Sequence, residues 1–314
     1  MRAFALSDFG DDGSVRDLPE PNLGAGDVRI RVRAAGVNPL DAAIARGRIH
    51  QRVKEVIQGR FPLVLGVDLS GVVDRVGADV RTVAAGDEVY GLPGKPFFGS
   101  GAFAELAVAS ALTIARKPAS IDHEGAAAVP MAAMTAMTAM DIADPRSGDT
   151  VLVVRAAGGV GSFVVQMAAA RGARVIAVAR GVNAGYLAGL GAAEVIDYER
   201  DDPVEAVGPR GVDVLVDLLG GRASLERLLG VVRDGGRAAC VSRPPEEVVA
   251  ARGIGADVIM AEASTDRLAR VARLLDEGEL RLPAIRTFPL ECTGEALRES
   301  ERGHVRGKLV VTVP

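Results

Sequence analysis

The stretch VLVVRAAGGVGSFVVQMAAARG, from Val151 to Gly172, constrains the fold more than any other part of the sequence. An apolar, β-branched run ends at Val154, glycines follow at positions 158, 159 and 161, and a second apolar run continues from there. The first run predicts a buried strand and the second a helix, joined by a turn from which side chains are excluded. A strand that turns tightly into a helix is the opening unit of a parallel α/β sheet.

Further short apolar runs follow this unit. They are RVIAVAR, AEVIDY, VDVLVDLLG, GGRAACVS and ADVIMAE, and helical patterns separate several of them. Nearly continuous apolar strands that alternate with helices predict a parallel sheet covered on both faces. The segment between Tyr198 and Val212 is short and holds two prolines, so we expect its helix to be stunted or absent.

The segments on either side of this block have a different pattern. DVRIRVRAAGV alternates polar and apolar residues from Asp27 onward, and VLGVDLSGVVDRVG and DEVYGL follow it. Short strands at this spacing predict a barrel-like or sandwich-like unit. After the block, TDRLARVARLLDEGEL predicts an amphipathic helix and GKLVVTV a last strand. We therefore expect the tail to return and complete the first domain.

Composition narrows the class of protein. A chain of 314 residues, 48% of them hydrophobic, is long enough for two folded domains. A net charge of −4, 4% aromatic residues and no tryptophan argue against nucleic acid as a partner. No apolar run reaches the roughly 18 residues of a membrane helix, and Asp8, Asp11 and Asp12 come too early for a secretory signal. Cys240 and Cys292 lie far apart, as is usual in a reducing compartment, so we expect a cytoplasmic protein without a membrane partner.

The glycine turn has the spacing of a dinucleotide-binding site. Backbone N–H groups at a helix N-terminus can contact a pyrophosphate only where no Cβ intervenes. The residues expected to make these contacts are Ala157, Gly158, Gly159, Val160 and Gly161. Methyltransferases and purely structural turns carry similar glycines, so the motif alone leaves these alternatives open.

Arg155 occupies the entry to this turn, where a glycine or an alanine is usual. Its side chain either points away into a salt bridge or adds a donor toward a phosphate or the nicotinamide. The sequence leaves both interpretations open.

The end of the second strand indicates which dinucleotide binds. An NAD-specific site places an acid there for the ribose hydroxyls, but this strand ends at Arg180, with Asn183 close behind. A cation tolerates a 2′-phosphate that an acid would repel, so the sequence predicts NADPH. Tyr198, at the end of the third strand, either lines the same adenosine pocket or packs internally.

Ten ordered segments resemble the medium-chain dehydrogenase/reductase superfamily, in its zinc-independent quinone oxidoreductase branch. They are AAGVNPLDAAIARG, FPLVLGVDLSGVV, VGADVRTVAAGDEVYG, GAFAELAVA, AAAVPMAAMTA, AAGGVGSFVVQ, LGAAEVIDY, GVDVLVDLLGG, DGGRAACVS and GHVRGKLVVTV. The resemblance implies a GroES-like, β-rich catalytic domain built from residues 1–121 and 263–314. It also implies a Rossmann domain, with a doubly wound parallel sheet, inserted as residues 122–262.

The same resemblance implies an NADPH-dependent oxidoreductase, often a homodimer. It would reduce quinones or α,β-unsaturated carbonyls by direct hydride transfer in the cleft between the domains. Asn38 in GVNPLD matches the active-site asparagine, whose amide would donate to an acceptor carbonyl unless it bonds its own loop. Met131 and Thr135, one helical turn apart, would face the nicotinamide unless they are plain core. Ser242 and Lys308 are also assigned to the cofactor site by the resemblance.

Zinc-dependent members carry Gly-His-Glu where this chain reads Gly66-Val67-Asp68. The histidines at positions 50, 123 and 304 have no metal-ligand spacing, so we expect no metal and a structural role for Asp68. We further expect Asp41 and Arg46 to form an internal ion pair. ARGRIHQRVK lacks the tyrosine that many relatives place near the substrate, so the final proton for an enone would come from water or another group, with His50 as one candidate.

Two other functions remain open. One is an enoyl reductase dedicated to a single biosynthetic intermediate, and the other is a non-catalytic sensor that binds NADPH.

Overall fold

The computed structural model describes residues 1–49, 51–93 and 101–314. The chain divides into two compact units, one formed by Met1–Met131 with Ala263–Pro314 and the other by Ala132–Glu262. Residues 122–131, which the sequence placed in the nucleotide domain, lie with the first unit. The reason is packing, because Ala127 in this segment belongs to a core cluster with Ala34 and Val310.

The first unit begins with strands and short helices. Its strands are β1 Arg2–Leu6, β2 Ser14–Asp17, β3 Asp27–Val37, β4 Leu63–Val64, β5 Leu69–Val76, β6 Glu88–Gly91, β7 Leu106–Ser110 and β8 Ile114–Arg116. Its helices are α1 Pro39–Ala45, α2 Gln51–Gln58 and α3 His123–Ala127. Strand β3 starts at the predicted residue, and its alternate residues Val28, Ile30 and Val32 are buried, as its sequence pattern predicts.

Helix α4 Pro130–Ala143 leads into the parallel sheet of the second unit. The strands are β9 Thr150–Val154, β10 Arg174–Ala179, β11 Glu194–Asp197, β12 Val212–Asp217, β13 Val232–Cys240 and β14 Gly255–Val258. The helices are α5 Gly159–Ala170, α6 Ala184–Gly189, α7 Pro203–Val207, α8 Arg222–Leu229 and α9 Glu246–Arg252. The strands pair in parallel in the order β11-β10-β9-β12-β13-β14, which confirms the predicted fold class. Helix α7 has 5 residues and is the stunted connection expected after Tyr198.

The chain then returns to the first unit. Its last elements are α10 Thr265–Asp276, β15 Ile285–Pro289, α11 Thr293–Arg302 and β16 Lys308–Thr312. Strand β16 pairs antiparallel with β3, and Leu309 lies opposite Val37. The larger sheet runs β15-β16-β3-β5-β6-β8, with β7 also on β3, and a smaller sheet runs β2-β1-β4. Within the described ranges, no helix is long and apolar enough to span a membrane.

Candidate active site

The predicted nucleotide-binding residues lie at the carboxyl edge of the parallel sheet in the second unit. Arg155 follows β9, Arg180 follows β10 and Tyr198 follows β11. The Tyr198 N–H donates to Ala179 O at 3.3 Å, which holds the ends of β10 and β11 together. From β9 the chain first builds β10 and β11 on one side and later β12 to β14 on the other. This reversal of strand order marks the crevice in which α/β sheets bind ligands.

The glycine turn between β9 and α5 fits a pyrophosphate. Gly161 is required by packing, because a Cβ there would lie 2.5 Å from both Arg155 O and Ala156 O. Packing does not require a glycine at position 158. A Cβ there would meet nothing nearer than Arg155 O at 3.5 Å, and the φ of −75° suits any residue. The first N–H groups of a helix have no acceptors within the helix. An open approach to those groups is what a bound phosphate needs, so the residues present fit a dinucleotide.

Two acids accompany the predicted cation at the end of β10. The Arg180 Nε lies 2.9 Å from Glu199 Oε1, and both side chains are partly exposed. Asp197 lies so close to Gly181 that a Cβ on this glycine would overlap its carboxylate. Asn183 is buried, and its N–H donates to Arg180 O at 2.9 Å. Arg180 follows β10 directly, its contact with a 2′-phosphate stays a prediction, and the sequence did not anticipate that Glu199 pairs with it.

Tyr198 and Arg155 share this environment. Partial burial raises the pKa of Tyr198, and the nearby Arg180 and Arg155 act in the opposite direction. Arg155 is exposed and has a φ of +60°, in the left-handed region. The internal salt bridge considered for Arg155 is not formed with any residue that the structure describes.

On the other side of β9, Asp217 ends β12 and Ser242 follows β13. The buried Asp217 carboxylate accepts from Leu219 N at 3.0 Å and Gly220 N at 3.3 Å. Burial raises the pKa of Asp217, while these two N–H donors lower it. The Ser242 Oγ accepts from Gly221 N at 3.1 Å. Sequence reasoning missed Asp217, although an acid at the end of the apolar run VDVLVDLLG was a visible signal.

A closed hydrogen-bonded triangle in the first unit joins Asn38, Asp68 and Lys308. The Asn38 Nδ2 donates to Asp68 Oδ2 at 2.8 Å, and Lys308 Nζ donates to Asn38 Oδ1 at 2.7 Å and to Asp68 Oδ2 at 3.0 Å. Lys308 also donates to Val37 O at 3.1 Å, and Asn38 Nδ2 to Gly36 O at 3.4 Å. Asn38 can therefore bind an acceptor carbonyl, and Lys308 the cofactor, only by giving up one of these hydrogen bonds for the new contact.

Asp68 connects this triangle to the start of α4. Its Oδ1 accepts from Met131 N at 2.7 Å, so a buried carboxylate lies at the helix end that carries partial positive charge. Asp68 fits there because of Gly36, since a Cβ at this glycine would overlap Ala127 O and lie 2.8 Å from Asp68 Oδ2. The structural role expected for Asp68 is thus to fix the first turn of α4.

The two residues predicted to face the nicotinamide lie on one stripe of α4. Met131, Thr135 and Thr138 are half-buried, whereas the residues between them are buried. Their spacing of four and three residues puts them on the same face of the helix. Part of Met131 and of Thr135 is thus accessible, and their contact with a nicotinamide stays a prediction.

Asp41 is buried beside the triangle and accepts two backbone hydrogen bonds. Asn38 N donates to its Oδ2 at 2.9 Å and Gly66 N donates to its Oδ1 at 3.1 Å. Burial raises the pKa of Asp41 to about 7, and the two N–H donors offset only part of this effect. The expected ion pair with Arg46 is wrong, because Arg46 lies at the surface and its Nε is 3.2 Å from Glu301 Oε2.

Two family models match separate parts of the chain. Residues 24–119 match the alcohol dehydrogenase GroES-like domain, and residues 190–311 match zinc-binding dehydrogenase. The mitochondrial NAD(P)H oxidoreductase RTN4IP1 of Mus musculus is 32% identical over 91% of this chain and 82% of its own length. This chain belongs to the medium-chain dehydrogenase/reductase superfamily.

Two further relatives align with nearly the whole length of this chain. The quinone oxidoreductase from Coxiella burnetii has a TM-score of 0.92 and 32% identity, covering 100% of this chain and 99% of that one. Erythronolide synthase EryA2 of Saccharopolyspora erythraea is 37% identical over 95% of this chain, which spans only 8% of the length of that synthase. The chain is therefore an oxidoreductase of an NAD(P)-dependent family, and the resemblance seen in the sequence is confirmed.

One of the three histidines, His123, has two polar partners in the first unit. In the described ranges, no group of three His, Cys, Asp or Glu side chains is placed to hold a metal ion. The His123 Nδ1 lies 2.8 Å from Ser70 Oγ and its Nε2 lies 3.3 Å from Glu88 Oε1. His50, the candidate proton donor, lies outside the described residues.

Proposed function

We propose that this oxidoreductase uses NADPH to reduce quinones or α,β-unsaturated carbonyls by hydride transfer without zinc. The observation that carries the proposal is the arrangement at the carboxyl edge of the sheet. There, the open backbone at Gly158 adjoins strand ends that carry Arg180 and Tyr198. An anionic, phosphorylated dinucleotide matches both features.

When bound, the nicotinamide supplies the hydride, and the protein supplies orientation and electrostatics. The first turn of α5 binds the pyrophosphate, and Arg180 and Tyr198 bind the adenosine end. The Asn38, Asp68 and Lys308 triangle fixes the start of α4 through Met131 N. Asp68 is thus a positioning residue for the half-buried stripe of α4 that we assign to the nicotinamide.

The residues at the zinc position support a mechanism without a metal. Val67 stands where the zinc-dependent members carry histidine, and a valine side chain cannot ligate zinc. Zinc in this superfamily would polarise the acceptor carbonyl. Quinones need this help least, since the reduced oxygens are readily protonated by water.

An enoyl reductase dedicated to a biosynthetic intermediate is the second candidate. The similarity to a segment of erythronolide synthase EryA2, a biosynthetic enzyme by its name, favours this alternative. The two candidates differ in the acceptor and share the cofactor site.

The experiment is a panel of acceptors in which oxidation of NADPH and of NADH is followed by absorbance. The panel contains quinones, unsaturated ketones and aldehydes, and enoyl thioesters, each with and without a chelator. We expect turnover of free quinones or enones, faster with NADPH and unchanged by chelation. Turnover of enoyl thioesters alone would establish the second candidate, and NADPH binding without any turnover would indicate a sensor. We also propose a homodimer, as the resemblance implies, which light scattering on the purified protein tests.

A further inference from the structure

Arg155 lies at the carboxyl edge of the parallel sheet, and neither its backbone conformation nor an ion pair among the described residues accounts for an arginine there. It follows β9 directly, is exposed, and adopts a φ of +60°. The left-handed region is unfavourable for a side chain with a Cβ and costs glycine nothing. Glycine would adopt this backbone conformation with less strain, so the backbone conformation does not account for the arginine.

The charges at this edge leave Arg155 without compensation. Arg180 pairs with Glu199 at 2.9 Å, and Arg200 lies 3.8 Å from Asp197. A third acid, Asp201, follows in the same turn, and its N–H donates to Asp197 O at 2.9 Å. Arg155 has no carboxylate within ion-pair distance in the ranges that the structure describes. Among the described residues, it is therefore the arginine at this end of β9, β10 and β11 whose charge is not matched by an ion pair.

The geometry of the sheet places the Arg155 charge near the expected adenosine end of a dinucleotide. Val154 pairs with Val178, and Ala179 pairs with Asp197, so Arg155 and Tyr198 are two strand spacings apart. Two spacings are about 10 Å, a gap that an arginine side chain and a bound phosphate can fill together. The electrostatic effect of Arg155 on the pKa of Tyr198 is in line with this placement.

The other side of β9 carries an acid among the residues that the structure describes. Arg155 also acts electrostatically on Asp217, at the end of β12. The buried carboxylate of Asp217 occupies two backbone N–H groups and would repel a phosphate. An anion held by Arg155 is therefore expected on the side of Arg180 and Tyr198.

We propose that Arg155 binds the 2′-phosphate of NADPH and, more than Arg180, which has Glu199 beside it, determines the preference for NADPH over NADH. The ligand is a nucleotide with a phosphate on the adenosine 2′-oxygen, and Tyr198 and Arg180 border the same site. This inference rests on the proposed function, because it requires a dinucleotide on the glycine turn. The pyrophosphate does not need Arg155, since the first turn of α5 already supplies its donors.

The experiment measures binding to the full chain by calorimetry, without any acceptor. The ligands are NADPH, NADH, adenosine 2′,5′-bisphosphate and adenosine 5′-monophosphate. The variants are Arg155→Gln, Arg155→Lys and Arg155→Gly, with Arg146→Gln as the matched control. Arg146 is an exposed arginine that precedes the same strand, and it lies 3.7 Å from Asp144.

We expect Arg155→Gln and Arg155→Gly to raise the Kd of NADPH and of the bisphosphate about tenfold or more, the usual effect of one charge-assisted hydrogen bond. The Kd of NADH and of the monophosphate should change less than about twofold, Arg155→Lys should keep most of the affinity for NADPH, and Arg146→Gln should change nothing. Thermal unfolding controls for folding, and Arg155→Gly should unfold at a temperature no lower than the wild type.

Different outcomes overturn different claims. If the wild-type chain binds neither dinucleotide, the proposed function fails. If the wild type binds NADPH and the Arg155 variants bind it equally well, this inference fails and the proposed function stands. Equal weakening of NADPH and NADH would place Arg155 on the pyrophosphate and would also overturn the inference.

Discussion

Lys308 Nζ lies 3.0 Å from Asp68 Oδ2 in the interior of the first unit, and the two side chains are 6% and 0% exposed. A buried ion pair contributes little net free energy compared with an apolar pair, but either charge left alone is costly. Here Asn38 bonds to both partners, and Asp68 also accepts from Met131 N. The pair therefore couples the last strand to the first turn of α4.

Lys308→Met should lower the free energy of unfolding by about 3–5 kcal/mol, because it leaves the Asp68 carboxylate buried without a cation. The double variant Asp68→Asn with Lys308→Met should recover much of this loss, since it removes both charges and keeps an acceptor for Met131 N. Denaturant unfolding of the wild type, the single and the double variant measures both effects. A single variant that unfolds at the wild-type midpoint would show that the pair does not stabilise the fold.

The two ends of the glycine turn should respond differently to alanine. Gly161→Ala places a Cβ 2.5 Å from two carbonyl oxygens and should destabilise the chain by about 1–3 kcal/mol. Gly158→Ala meets only an ordinary contact at 3.5 Å and should leave stability within about 0.5 kcal/mol. We nevertheless expect a Cβ at this position to hinder the close approach of the proposed pyrophosphate and to weaken NADPH binding. Thermal unfolding and calorimetry on the same two variants separate the effects, and equal destabilisation by both would contradict this assignment.

Strand patterns and the glycine spacing were sufficient to predict the α/β class and the strands that precede Arg155, Arg180 and Tyr198. Val151 to Val154 is a continuous apolar run because both faces of β9 are covered, and such a run is visible in one sequence. The prediction that the tail returns to the first unit rested on a strand pattern alone, and β16 does pair with β3.

Side-chain partners could not be predicted in the same way. Asp41 and Arg46 are five positions apart and of opposite charge, yet Asp41 is buried and Arg46 pairs with Glu301, far along the chain. Likewise, the bond between Lys308 and Asn38 joins residues 270 positions apart. Which charges meet depends on how strands pair over long distances, and local periodicity holds no information about that.

Glu199→Gln should increase the affinity for NADPH about two- to fivefold, which is the range expected for one partly exposed ion pair. The variant frees Arg180, whose Nε lies 2.9 Å from the Glu199 carboxylate, and it removes an anion near the proposed 2′-phosphate. The affinity for NADH should not change. Glu194→Gln is the matched control, because Glu194 pairs with Arg174 at 2.6 Å at the opposite end of β11. Equal gains for NADPH and NADH would show that Glu199 acts on a part common to both.

The raised pKa of Asp41 predicts that the stability of the fold depends on pH. Burial raises its pKa from the usual 3.8 to about 7, so between these values the folded state binds more protons than the unfolded state. Stability should therefore fall as the pH rises through this window, by on the order of 2 kcal/mol between about pH 5 and pH 8. Asp41→Asn keeps one backbone acceptor and cannot ionise, so its stability should be lower at acidic pH but should decline less as the pH rises.

Denaturant unfolding of the wild type and of Asp41→Asn at several pH values measures the two slopes. The difference between them isolates Asp41, because other buried acids such as Asp217 are present in both proteins. Parallel curves would mean that Asp41 is ionised in the folded state throughout this range. In that case Lys308 would be the cation for two buried carboxylates, Asp41 and Asp68. At pH 8, Lys308→Met would then lower the free energy of unfolding by more than the about 3–5 kcal/mol expected for one broken pair.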